Sequence, residues 1–195
     1  MPRIIDYDFV LRTLEGEGFT CVYPNGGAFA FKDRSRERFV GWITAEDASL
    51  RAEARQHARL VDPPTSQRLA NLFAKFWTDD AIGGNVWLMP KSHWAHELHH
   101  GSGGWMSGLL RSIAIDPGAL ESRTTADAIE FTTDEVGQTK RCVAALLDQL
   151  RGSDFAATFR AVPMTCTLHH HRQLWWQTTD ERAFSLLDRV APSDG

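Results

Sequence analysis

Leu69, Leu72, Phe73, Phe76 and Trp77 recur at three- and four-residue spacing just after the Pro63-Pro64 break. On a helix they form one clean apolar face, and Thr65 or Ser66 stands at the N-cap position. A face of that size is buried against a second layer. The rest of the chain supplies candidates for that layer, because its pattern switches between helical stripes and short β-branched or aromatic runs.

Asp6 or Asp8 can cap a first helix through Glu15, with Phe9, Val10 and Leu14 facing inward. Residues 19–23, 28–31 and 38–43 read as strands, the first two joined by the Pro24-Asn25-Gly26-Gly27 turn, and together they predict a β-meander. Leu50, Ala54, His57, Ala58 and Val61 make another helical stripe. Val86 to Met89 reads as a strand that stops at Pro90, and Trp105 to Ile113 as a short helix. Leu120 to Asp127 reads as an exposed loop and Ala128 to Phe131 as a short strand. Thr132 with Glu135, and Thr178 with Glu181, match the capping box and each opens a helix. The first of these helices runs to Arg151, and the last carries Phe184, Leu187 and Val190. Between them, residues 163–178 alternate as a strand, which could bend near the histidines.

The predicted class is therefore α+β in a single domain over residues 1–191. It has an N-terminal helix plus β-meander, later strands near 86–90 and 163–178, and about six covering helices. Residues 62–65 are the alternative lobe boundary, and residues 192–195 are expected to fray.

Charge narrows the function. The 21 basic and 25 acidic residues leave a net charge of -4, without the basic face that nucleic-acid binding needs. The run Lys32, Arg34, Arg36, Arg38 is interrupted by Asp33 and Glu37 and reads as a solvated hairpin tip. No apolar run approaches the roughly 20 residues of a membrane span. Three widely spaced cysteines, Cys21, Cys142 and Cys166, read as small buried residues of a reducing compartment. A cytoplasmic protein with no nucleic-acid or membrane partner is expected.

The chemistry is concentrated in histidine. Seven of the eight histidines fall in two stretches, His93, His96, His99 and His100, and then His169, His170 and His171. His96-Glu97-Leu98-His99-His100 matches H-E-x-x-H. On a helix, His96 and His100 share a face and could bind one zinc ion, with Glu97 placed as general base. The pentapeptide is similar to the zinc-protease motif, and Gly103 falls where one protease group has its glycine. The third-histidine position of that longer pattern is Met106. Histidines before Gly101 also suit a helix C-terminus, where they meet orphan carbonyls.

On a strand, His169 and His171 project to one face and His170 to the other, as a core histidine. Three imidazoles with an open fourth position make a catalytic zinc or iron arrangement. The candidate ligands are therefore His96, His100, His169 and His171, with His96 and Glu97 as catalytic residues. Lys91 and Arg172 could hold an anionic substrate group, and Trp94 and Trp176 could wall the pocket. Gly101-Ser102-Gly103-Gly104 is either a connector or a phosphate cradle.

Two functions fit. One is a hydrolase of a small substrate using zinc or another divalent transition metal. The other is a non-catalytic module that binds a protein partner, with structural histidines and tryptophans. Oligomeric state has no signature in the sequence.

Overall fold

The computed structural model describes residues 1–46, 50–101 and 104–191. The expected tail at 192–195 and residues 102–103 of the glycine run lie outside them. In chain order the elements are β1 (Arg3–Ile5), α1 (Tyr7–Gly16), β2 (Phe19–Cys21), β3 (Phe29–Phe31) and β4 (Arg38–Ile43). Then come α2 (Ala52–Gln56), β5 (Ala58–Leu60), α3 (Ser66–Trp77) and β6 (Val86–Pro90). α4 (Trp94–His96) runs into a π-helical turn, Glu97–Gly101. α5 (Trp105–Ser112), α6 (Gly118–Glu121) and β7 (Ala128–Phe131) follow. A 3₁₀ turn, Thr133–Glu135, opens α7 (Val136–Gln149). Last are β8 (Phe155–Phe159), β9 (Met164–His169), β10 (Gln173–Thr178) and α8 (Glu181–Val190).

Eight strands form one mixed sheet in the order β1-β7-β6-β8-β9-β10-β4-β5, and β2 with β3 forms a separate hairpin. The chain is a single α+β domain, as its pattern predicts. The meander stops at the hairpin: β4 pairs with β10 instead of β3.

The helical stripes read well where packing agrees with them. Thr65 caps α3, and Leu69, Leu72, Phe73, Phe76 and Trp77 are all buried. The Thr132–Glu135 capping box forms, and Val143, Leu146 and Leu147 of α7 are buried. Asp6 caps α1, but Tyr7, Val10 and Leu14 face inward while Phe9 is 51 % exposed. Asp180 caps α8 in place of Thr178, accepting from the amides of Arg182 and Ala183.

Three further readings change. The stripe at 50–61 becomes the short α2 and then β5, which pairs parallel with β4 at Gly41↔Ala58 and Ile43↔Leu60. The sheet's open edge outweighs the helical spacing there. Residues 120–127 are not a fully exposed loop, because α6 buries Leu120, and Ala126 and Asp127 are also buried. The strand at 163–178 is two strands joined by a hairpin whose tip is His170, His171 and Arg172.

The largest hydrophobic cluster lies between one face of the sheet and α3, α5, α7 and α8. Trp176 sits at its centre, 4.8–5.8 Å from the ring centroids of Trp42, Phe73, Phe76 and Phe159. A smaller cluster covers part of the other face, where Tyr7, Val10 and Leu14 of α1 and the hairpin phenylalanines pack on Trp87, Met89, Ala128 and Ala156. The turn of the β2–β3 hairpin docks on the end of β6: Gly27 N donates to Pro90 O at 3.0 Å. A methyl group at Gly26 would lie 2.4 Å from Lys91 O, so glycine is what permits this approach. Among the described residues no helix is long and apolar enough to cross a membrane.

Candidate metal centre

Strand register builds the site. Met89, Ala156 and Thr167 are neighbours across β6, β8 and β9. Two residues further toward the same sheet end lie Lys91, Asp154 and His169. The two-residue period of a strand places all three on one face. Lys91 N donates to Asp154 O at 2.9 Å, which extends the pairing past the strand ends.

At this end the chain turns through the three histidines. Arg172 adopts φ +58°, the left-handed conformation that closes a three-residue hairpin loop. His169, His170 and His171 therefore do not alternate as on a strand. Their rings gather, with centroids 4.2, 4.9 and 4.4 Å apart. One ligand nitrogen from each comes within 4.8 Å of the others, so the group could hold a metal ion. Zinc–nitrogen bonds of about 2.0 Å set tetrahedral nitrogens about 3.3 Å apart, so binding requires the rings to close by about 1.5 Å at the widest pair.

Asp154 organises the group. Its Oδ1 accepts from His170 N at 3.1 Å and lies 2.9 Å from His170 Nδ1. A proton on Nδ1 leaves Nε2 of His170 with a lone pair for a metal. The same oxygen is 4.0 Å from His169 Nε2, and Oδ2 is 3.8 Å from Lys91 Nζ. His169 Nδ1 accepts from His171 N at 3.2 Å, a hydrogen bond that ligation through that nitrogen would replace. Burial lowers the pKa of His169 below the ordinary histidine value, and Asp154 opposes the shift. The neutral, ligating form is therefore favoured at neutral pH. Burial also lowers the Lys91 ammonium, against the pull of Asp154.

Glu97 is fully buried and accepts from Ser92 Oγ at 2.6 Å and Ser153 Oγ at 2.9 Å. Ser92 follows Lys91 and Ser153 precedes Asp154, so this carboxylate clamps the two strand ends that carry the site. Lys91, His93, His96, Glu97 and Asp154 line a cleft of about 360 Å³, together with Tyr23 and Pro24 of the hairpin turn. A second cleft, about 560 Å³, is lined by Arg151, His170, His171 and Arg172. Gly152 borders both. The two histidine stretches thus reach the same end of the sheet, on either side of residues 152–154.

The expected ligand set is regrouped. His170, read as a core residue on the opposite face, is only part-buried and joins His169 and His171. His96 and His100 are exposed, with ring centroids 6.0 Å apart, and lie outside the three-histidine group. The π-helical turn changes the α-helical spacing on which the H-E-x-x-H reading depends. His93 has a structural role: its Nδ1 accepts from His96 N at 3.2 Å and caps α4. Trp94 and Trp176 are core side chains with about 1 % and 0 % exposure, so neither offers a wall to a ligand. Trp94 Nε1 donates to Asp127 O at 2.6 Å. Cys142 and Cys166 are buried as expected, whereas Cys21 is only part-buried; burial pushes the Cys142 thiol up to about 12.

Asp154 was not among the sequence candidates. Its signal was weak: Gly152-Ser153-Asp154 reads as a helix stop, and Phe155-Ala156-Ala157-Thr158-Phe159 shows no alternation, because both faces of β8 are buried. Compared with known proteins, the chain matches no family model, no curated protein and no solved structure.

Proposed function

We propose that the protein binds one divalent transition metal, zinc being the simplest fit, on His169, His170 and His171, and uses it to hydrolyse a small substrate. The observation that carries this reading is the convergence of three imidazole nitrogens within 4.8 Å. The carboxylate of Asp154 supports it by holding one imidazole in the ligating tautomer. Three protein ligands leave a position for water, whose pKa a zinc ion lowers to about 7. Glu97 and Lys91 act as positioning residues, through the serine clamp and the Asp154 contact.

The test is elemental analysis of the protein purified without a histidine tag, beside a His169→Ala, His171→Ala double variant. About one zinc per chain, absent from the variant, is expected. A folded, metal-free wild type that also fails to take up added zinc would end the reading. The hydrolytic part is tested separately, with an activated ester: turnover should fall on chelation and return with zinc. Metal uptake without turnover would leave a metal-binding module.

A further inference from the structure

Two of the three histidines, His170 and His171, line the 560 Å³ cleft, and two arginines line it with them. Among the described residues its lining includes Arg151 and Arg172 beside His170 and His171, together with Glu46. Arg151 is anchored, since its NH1 donates to the carbonyls of Asp148 and Leu150 at the end of α7. Arg172 is held 3.3 Å from Asp148 Oδ1. Its backbone carbonyl accepts from Thr44 Oγ1 at 3.2 Å, which ties the hairpin tip to the end of the neighbouring strand β4.

The position of Arg172 is informative. A left-handed φ at this point of a three-residue hairpin favours glycine or asparagine, and any other residue is strained there. An arginine at such a position brings a planar, permanently charged donor set to the cleft beside the histidines. Residues in uncommon backbone regions concentrate where a side chain is needed.

We infer that the ligand of this site carries an oxyanion, a carboxylate or phosphate group, seated by Arg172 with Arg151 beside the three histidines. The inference rests on the metal centre proposed above for its catalytic meaning. The arginines would hold the anion's oxygens, and a metal on the histidines would supply Lewis-acid chemistry beside them.

Calorimetric titration tests it. Inorganic phosphate and acetate are titrated into zinc-loaded and metal-free protein, wild type and Arg172→Gly, and zinc itself is titrated in a separate arm. The glycine variant relaxes the hairpin, so its thermal midpoint should equal or exceed that of the wild type, which separates lost binding from lost fold. Loss of one charge-assisted contact should weaken the bound anion roughly tenfold or more while zinc affinity is unchanged. The tighter of the two anions names the group. Zinc uptake together with anion binding indifferent to Arg172→Gly, or no anion binding at all, would overturn the inference and leave the metal centre standing. Arg172-dependent anion binding with no zinc uptake would do the reverse.

Discussion

Asp154 takes contacts from four groups: the His170 amide, the His170 ring, the His169 ring and Lys91. Its effect on a metal would pass through the tautomer of His170. Asp154→Asn keeps the shape but can present an amide donor where the carboxylate only accepts. Zinc affinity, measured by chelator competition, should fall about 10- to 100-fold. An unchanged affinity would show that His170 needs no partner to ligate. Glu97 acts one step further away. Glu97→Ala leaves the Ser92 and Ser153 hydroxyls without their shared acceptor and should cost about 1–3 kcal/mol in chemical denaturation.

At the scale of elements, the sheet depends on close contacts that few residue types allow. Trp175 lies over Gly41 of the neighbouring strand and stacks on Phe39 at 5.0 Å and 8°. A methyl group at Gly41 would fall 2.3 Å from the Trp175 ring, and Gly41→Ala should cost about 1–3 kcal/mol by overpacking. A shift in denaturation midpoint with an unchanged slope is the expected result. At the opposite edge, β1 is attached by Glu130 of β7. Burial pushes the Glu130 carboxyl up, but hydrogen bonds from Arg3, Trp87 and Asn85 outweigh it and hold the pKa below its usual value. A depressed folded-state pKa contributes stability that is complete above the unfolded value of about 4.3 and is lost as pH falls through the folded one. Glu130→Gln should therefore flatten the acid side of the stability profile and change little in pH dependence near neutrality. A variant profile parallel to that of the wild type in acid would contradict this.

In the whole molecule, the large core covers one face of the sheet and the site lies past the ends of β6, β8 and β9. Trp176 is the centre of an aromatic cluster that joins α3, β4, β8 and β10. Trp176→Ala should cost about 3–5 kcal/mol. The milder Trp176→Phe should keep the fold and leave zinc uptake unchanged, because the ring is fully buried in the core and has no surface at the clefts. A variant that stays folded but loses zinc would return Trp176 to the pocket.

Local chemistry was enough to place most elements. Thr65, Asp6 and the Thr132–Glu135 box mark helix starts, because an N-cap satisfies amides only a few residues away. The face of Leu69, Leu72, Phe73, Phe76 and Trp77 follows from helical spacing alone. The concentration of histidine in two stretches was equally plain. What depended on the tertiary structure was every choice in which distant segments compete. Residues 58–60 became a strand because β4 offered an open edge. β8 was hidden because burial on both faces removes alternation. The bend near the histidines was open to the sequence reading, but its place at His170–Arg172 was not, because the turn uses none of the usual glycine, asparagine or proline signals. The site itself joins the ends of β6, β8 and β9, separated by tens of residues, and only strand register brings Lys91, Asp154 and His169 to one face. Capping and periodicity are short-range and can be read along the chain, whereas register and packing are set by whichever partner the folded chain presents.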